Sequence, residues 1–159
     1  MLAHVDWGGP NQEYRYTLWR IWDDSLPIVQ WIGLNPSTAD EHRDDPTIRK
    51  CVGFARRWGA GAICMTNLFA WRDTKPANMM RVADPVGPEN DRILQEVAKH
   101  ATIRVAAWGN HGVHLNRAEI VTKMIPDLSM LRINEATGQP GHPLYIPYET
   151  SLSPYEIRR

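Results

Sequence analysis

The sequence of 159 residues lacks the features that mark membrane, secreted and metal-cluster proteins. Its two cysteines, Cys51 and Cys64, are too few for a disulfide scaffold or a metal cluster with four cysteine ligands. No apolar run approaches the roughly 18 residues of a membrane-spanning helix. The first residues also lack the basic and then apolar pattern of a signal peptide. We therefore expect a cytoplasmic protein that has no membrane partner and needs no metal ion or other cofactor.

A charge excess of either sign is lacking as well. The 18 Lys and Arg residues balance the 18 Asp and Glu residues, and the formal net charge is +0. Most nucleic-acid-binding domains carry a basic excess, so the balance argues weakly against that class, although a local basic patch remains compatible with it. The hydrophobic fraction of 43% is ordinary for a globular protein. The length predicts a single domain over residues 1–159, which we expect to be a monomer.

Strand and helix patterns alternate along most of the chain. Residues 1–13 have no regular pattern and predict an irregular lead-in. Residues 14–22 alternate apolar with polar side chains, which predicts a half-exposed strand that forms a hairpin with the apolar strand 28–32. Asp45 and Pro46 predict the N-cap and the first turn of the first helix. The further alternation predicts an α/β fold, a three-layer α/β/α sandwich with a largely parallel central sheet.

Three predicted strands end on a polar segment at a break in the chain. The first break is Gly33-Leu-Asn-Pro-Ser37, in which Gly33 and Pro36 impose a sharply turned backbone around Asn35. The second strand ends on Asn67, and the third ends on Trp108-Gly-Asn-His111. The carboxyl ends of parallel strands meet at one sheet edge, where open α/β sheets bind their ligands. This predicts one site, although Asn35 is equally compatible with a plain strand-to-helix turn.

His142 is the histidine whose neighbours most restrict the backbone, in the segment Pro140-Gly-His-Pro143. A rigid loop of this kind could hold the imidazole over the site formed by the strand ends. The alternative interpretation is a solvated histidine on a surface loop.

These segments resemble, in the same order along the chain, the motifs of the uracil-DNA glycosylase superfamily. Gly33-Leu-Asn-Pro-Ser37 resembles its first motif, a glycine, any residue, then Asp, Asn, Glu or Ala, then proline. Residues 63–68 resemble the strand whose final asparagine reads the edge of uracil. Residues 104–111 resemble the strand before the last helix, and Gly141-His-Pro-Leu-Tyr145 resembles the His-Pro motif with its DNA-inserting loop. The chain also looks like a bacterial family known as a domain of unknown function.

The resemblance implies a monofunctional base-excision repair enzyme that hydrolyses the N-glycosidic bond of uracil in single- or double-stranded DNA. Asn35 would position the attacking water without accepting its proton, and His142 would stabilise the charge that develops on the departing base. The implied substrate-binding residues are Gly33, Leu34, Pro36, Ser37, Asn67 and Leu68. The implied DNA-binding residues are Arg72, Lys75, Gly141, Pro143, Leu144 and Tyr145.

Ser37 stands where the most uracil-selective relatives place a bulky tyrosine against C5 of the base. We therefore expect 5-substituted uracils to be accepted at reduced rates, unless Trp71 or Tyr145 closes that space. One of the carboxylates of Asp40, Glu41, Asp44 and Asp45 could assist the water, but helix capping is their commoner role. Two further functions remain compatible with the residues: a base- or nucleotide-modifying enzyme, and a non-catalytic module that binds a base.

Overall fold

The computed structural model describes residues 1–157, which form a seven-stranded sheet covered by helices on both faces. The strands are β1 (Leu2–Gly8), β2 (Tyr14–Ile21), β3 (Ile28–Gly33), β4 (Ala62–Asn67), β5 (Ile103–Ala106), β6 (Leu128–Met130) and β7 (Ser153–Pro154). The helices are α1 (Pro46–Arg57), α2 (Pro76–Met79), α3 (Asn90–His100) and α4 (Arg117–Met124), and a 3₁₀ segment covers Asn110–Asn116. None of these helices has the length and apolar character that crossing a membrane requires.

The sheet is mixed, with the strand order β1-β2-β4-β3-β5-β6-β7. The central strands β4, β3, β5 and β6 are parallel to one another. The pairings β1–β2, β2–β4 and β6–β7 are antiparallel. The predicted α/β class is confirmed, but the sheet has a larger antiparallel share than the sequence predicts. A short connection such as the one between β1 and β2 can only join antiparallel neighbours.

Two predictions about the amino-terminal strands are wrong. Residues 1–13 are not an irregular lead-in, because β1 pairs with β2 along its whole length. Strands β2 and β3 do not form a hairpin, because β4 lies between them and pairs with both. The backbone N–H of Trp22 donates to the carbonyl of Gly61, which draws β2 toward β4. Local sequence patterns indicate where strands form but not which strands pair, and here the pairing is determined by tertiary packing.

Strand β2 is also buried on both faces rather than half exposed, with Arg15, Thr17 and Arg20 at most 4% exposed. A β-bulge explains where Arg15 points. Thr17 pairs with Asp6 and Arg15 pairs with Trp7, so that Tyr16 is an extra residue in the ladder. The bulge inverts the alternation of faces on its amino-terminal side. Arg15 therefore joins the sheet face of Leu18, instead of the opposite face that strict alternation would assign to it.

Each sheet face supports its own hydrophobic cluster, as the adjacent residues Trp31 and Ile32 of β3 illustrate. Trp31 packs in the cluster that contains Phe54 of α1, and Ile32 packs in the cluster that contains Leu94 of α3. The N-cap prediction for α1 is confirmed, because the Asp45 carboxylate accepts a hydrogen bond from the N–H of Ile48 at 2.8 Å. Helix α1 thus begins beside the carboxyl ends of the central strands.

Candidate functional site

A cavity of about 230 Å³ lies at the carboxyl ends of β3 and β4, between the start of α1 and the loop that carries His142. Seven residues that the sequence singled out line it: Gly33, Leu34, Asn35, Pro36, Ser37, Asn67 and His142. The remaining lining residues are Arg15, Asp45, Thr47, Ile48, Met65, Pro76 and Trp108. The structure therefore brings together Asn35, Asn67 and His142, which are widely separated in sequence.

Asn67 forms part of the wall because Gly33 leaves room for its amide. The two residues pair across β3 and β4. A Cβ atom on residue 33 would lie 2.8 Å from Oδ1 of Asn67, which is closer than real Cβ contacts. The Asn67 side chain is buried, and its Nδ2 has no hydrogen-bond partner among the described residues. Because an unpaired buried donor is costly, this amide is suited to a ligand that supplies an acceptor.

The backbone at the end of β4 is held independently of that amide. The buried side chain of Asn90 donates from Nδ2 to the carbonyls of Asn67, at 3.0 Å, and Leu68, at 3.1 Å. Arg117 also donates to the Leu68 carbonyl. These bonds, together with the N–H of Leu68 donating to the Gly33 carbonyl, fix the strand end from which the Asn67 side chain extends.

The amide of Asn35 is oriented by the loop that follows β4. Its Nδ2 donates to the carbonyl of Asp73 at 2.9 Å and to that of Pro36 at 3.3 Å. Because Nδ2 of Asn35 points toward these carbonyls, its Oδ1 points away from them. The amide oxygen is therefore the end of Asn35 that is suited to accept a hydrogen bond from a water or a ligand in the cavity.

His142 reaches the cavity from a loop that is tied to the sheet edge on both sides. Gly109 donates its N–H to the Pro140 carbonyl at 2.9 Å, and Gly141 donates to the Arg132 carbonyl at 2.7 Å. After the loop, Ile146 is buried in the cluster beneath α1. The histidine is thus presented by an anchored segment rather than by a free surface loop.

The hydrogen bonding of His142 determines its tautomer. Its Nδ1 accepts from the backbone N–H of Leu144 at 3.2 Å, which leaves the ring proton on Nε2. Desolvation lowers the pKa of His142, and the nearby Asp45 carboxylate raises it by a smaller amount. The imidazole is therefore neutral at pH 7 and can donate from Nε2.

Of the two charged residues of the cavity, Arg15 was not identified from the sequence, and Asp45 was predicted as a helix cap that could alternatively assist the water. Arg15 is 4% exposed, and the bulge in β2 directs it to this face. Asp45 both lines the cavity and caps α1, because α1 begins at the cavity wall. The acidic run before α1 indicated Asp45 as a cap, whereas nothing in the alternation of β2 distinguishes Arg15 from an ordinary surface arginine.

Some predicted residues lie outside the cavity. Leu68 is fully buried in the core and does not line it. Trp108 is a lining residue, but its buried indole donates from Nε1 to Gln139 and packs against Tyr155. Asn110 and His111 are exposed and do not line the cavity. Asn110 instead accepts hydrogen bonds from Asn134 and Thr137. The third strand end therefore does not supply the predicted polar group.

The predicted DNA-binding residues surround the cavity without lining it. Gly141 and Pro143 are buried supports of the His142 loop. Tyr145 is 89% exposed and has a positive φ of 71°, a backbone conformation that tyrosine rarely adopts. Arg72 lines an open groove of about 500 Å³ that shares Ser37 with the cavity. Lys75 is exposed at the start of α2.

The model of a family described as "Protein of unknown function (DUF1643)" matches residues 15–144. The matched range begins at Arg15 and includes every residue that lines the cavity. No curated protein and no solved structure matches the chain.

Proposed function

We propose that this chain, which belongs to the DUF1643 family, hydrolyses the N-glycosidic bond of uracil in DNA. The proposal includes a distant relationship to the uracil-DNA glycosylase superfamily and its three-layer sandwich. One observation carries it: three motifs that resemble that superfamily contribute Asn35, Asn67 and His142 to a single cavity. The helices on both faces of the mixed sheet are compatible with that architecture.

The size of the cavity supports a single base as its occupant. Its volume of about 230 Å³ lies below the ~300–1,000 Å³ of pockets that receive drug-sized ligands. A base inside a duplex cannot enter such a cavity without leaving the stack, at a cost of roughly a few kcal/mol. The proposed enzyme therefore acts on an extruded or single-stranded nucleotide.

Recognition of uracil is assigned to Asn67. Its carboxamide can accept from N3–H of uracil and donate from the unpartnered Nδ2 to O4. Cytosine presents the opposite pattern of donor and acceptor at these positions. A mispaired buried group costs about 1–3 kcal/mol, so a carboxamide held in one orientation discriminates between the two bases.

His142 is assigned to the leaving group. As the bond between C1′ and N1 breaks, the base departs with the bonding electron pair, and negative charge develops on its O2. The neutral imidazole donates from Nε2–H, since Nδ1 is occupied by the N–H of Leu144. A preorganised donor of this kind stabilises the transition state more than the ground state.

The water is assigned to Asn35 and Asp45. The Asn35 amide oxygen orients the water, whose oxygen forms the new bond to C1′. An amide cannot accept the water proton, so a carboxylate is required for that step. Asp45 lines the same cavity, whereas Asp40 lines the neighbouring groove. We assign Asp45 as the proton acceptor, in addition to its capping of α1.

Contact with DNA is assigned to the rim. Tyr145 extends into solvent next to the His142 loop, so it can fill the gap that an extruded base leaves in the stack. Arg72 and Lys75 flank the site and are suited to phosphate contacts. Arg72 also stacks on Trp7, with its Cζ atom 4.4 Å from the ring centroid, which holds the guanidinium in place.

One observation favours a second candidate function. The buried cation Arg15 inside the cavity suits an anionic ligand, and the zero net charge suits a small nucleotide better than a long polyanion. A nucleotide-processing enzyme on the same fold is therefore the alternative.

The test is an incubation of the protein with uracil-containing oligonucleotides, both single- and double-stranded, followed by alkali. We expect strand breaks at uracil and none at cytosine in the matched oligonucleotide. Loss of the breaks in Asn67→Ala and His142→Ala would assign the activity to this cavity. Breaks that persist unchanged in both variants would assign the activity elsewhere.

A further inference from the structure

Arg15 is a buried cation whose hydrogen bonding is incomplete. Its side chain lines the cavity and is 4% exposed. Nη1 donates to the carbonyl of Ala39 at 2.9 Å, whereas Nε has no partner among the described residues. Among the described residues no carboxylate lies within 4.0 Å of the guanidinium, so Arg15 has no direct ion pair, although the Asp45 carboxylate of the same cavity interacts with it electrostatically. Burial lowers the pKa of Arg15 to about 10, so the group remains charged at neutral pH.

The second buried arginine of β2 provides the comparison. Arg20 is equally buried, but its Nε donates to the Asp44 carboxylate at 2.9 Å. Its Nη1 donates to the carbonyl of Trp19 at 3.0 Å, and its Nη2 donates to the carbonyl of Arg43 at 3.3 Å. Arg20 therefore has the partners that a structural arginine needs, and Arg15 does not.

We propose that Arg15 binds a negatively charged group of the ligand that occupies this cavity. The guanidinium presents several N–H donors in a planar fork that matches carboxylate and phosphate oxygens. Arg15 and Asn67 both line the cavity, and each has a buried donor without a partner, so one ligand is suited to contact both residues. This inference rests on the base-binding role proposed above and adds the charge of the substrate to it.

The position of Arg15 indicates where on the ligand that group lies. The bond to Ala39 holds the guanidinium beside the chain segment that contains Ser37. Under the proposed function, that segment faces C5 of the base, and Ser37 is too small to fill the space. The negative group is then a 5-carboxylate on the uracil ring or, for a free nucleotide, its phosphate. Both supply the same oxyanion chemistry, and binding experiments separate them.

The experiment compares the affinities of the wild-type chain for four nucleosides and nucleotides by titration calorimetry. The probes are 2′-deoxyuridine, its 5-carboxy derivative, the neutral 5-carbamoyl derivative of the same shape, and 2′-deoxyuridine 5′-monophosphate. We expect one anionic probe to bind about ten- to a hundredfold more tightly than its neutral counterpart, the range of a charge-assisted hydrogen bond. Preference for the 5-carboxy probe assigns the group to the base, and preference for the monophosphate assigns it to the nucleotide.

Two variants test whether Arg15 causes the preference. Arg15→Met should remove the preference and change the thermal unfolding midpoint little, because it removes a buried charge that has no ion-pair partner and loses one hydrogen bond, to the Ala39 carbonyl. The matched variant Arg20→Met should lower the midpoint, because it leaves a carboxylate and carbonyls without their donor. If Arg15→Met does not fold, Arg15→Lys keeps the charge without the planar fork and should show a reduced preference.

Equal affinities of the wild-type chain for charged and neutral probes would overturn the proposal, as would a preference that survives in Arg15→Met. These outcomes are distinguishable from failure of the glycosylase proposal. An anionic preference without uracil excision would contradict the glycosylase proposal and support the anion site. Excision without an anionic preference would support the glycosylase proposal and contradict the anion site.

Discussion

The imidazole of His142 donates from Nε2 in this account because the N–H of Leu144 occupies Nδ1. Removing it in His142→Ala should reduce single-turnover uracil release roughly 10²–10³-fold, the usual loss for one donor to a developing oxyanion. The matched control is His111→Ala, since His111 does not line the cavity. Equal rates for the two variants would mean that another group stabilises the leaving base.

The pH dependence of this residue has a defined sign. Because desolvation lowers the pKa of His142, its NMR titration should have a midpoint below the ordinary 6.5. Protonation of Nδ1 removes the acceptor of the Leu144 N–H, so excision should fall as the pH decreases through that midpoint. Because the pKa of His142 is lower in the folded chain, the unfolded chain binds the proton more tightly. The neutral ring therefore makes its full contribution to the free energy of unfolding above pH 6.5, and this contribution is lost as the pH falls toward the lowered pKa. A midpoint above 6.5 would contradict the desolvation of the ring in the cavity.

Asp45 has two assigned roles, which one substitution separates. Asparagine is an equally good N-cap, so Asp45→Asn should leave the thermal unfolding midpoint nearly unchanged. The asparagine side chain cannot accept a proton from the water, so excision should fall by roughly 10²-fold or more. The control is Asp24→Asn, because Asp24 is exposed and does not line the cavity. Full excision activity in Asp45→Asn would limit this residue to capping.

Several parts of the site could be predicted from the sequence because they depend on local chemistry. An apolar run that stops at Gly33 or Asn67 places its final residue at a sheet edge whichever strands are neighbours. Asp45 before Pro46 defines a helix start by itself. These are backbone effects within a few residues, and they survive in the folded chain.

Other parts could not be predicted because they depend on distant segments. The insertion of β4 between β2 and β3 is a choice of partners, and the alternating pattern of residues 14–22 is the same for either choice. The bulge at Tyr16 arises in the pairing with β1, so the orientation of Arg15 is not encoded in β2 alone. The buried cation of the cavity was missed for this reason.

The contact between the ends of β3 and β4 can be tested by adding one methyl group. Gly33→Ala places a Cβ where the Asn67 amide now lies, so it should displace that amide and reduce excision about as strongly as Asn67→Ala. In the Asn67→Ala background, the same change should have little further effect, because the clashing group is absent. Additive losses in this double-mutant cycle would show that Gly33 acts independently of Asn67.

The charge balance of these 159 residues limits how strongly they can bind DNA. With a net charge of +0, phosphate contacts depend on local residues such as Arg72 and Lys75. Two such contacts predict that log K for duplex DNA falls with log salt at a slope of about −2. Lys75→Gln should reduce the magnitude of the slope by about one, whereas Lys99→Gln, on the exposed side of α3, should not change it. A much steeper slope would indicate a basic surface outside the proposed site.

The central claim is that this cavity releases uracil from DNA, and the most direct measurement is the released base itself. Protein in excess over a uracil-containing oligonucleotide should give free uracil by mass spectrometry, in amounts equal to the abasic sites formed. His142→Ala and Asn67→Ala should give correspondingly less of both. Intact oligonucleotide and no free uracil from the wild-type chain, with single- and double-stranded substrates alike, would contradict the account.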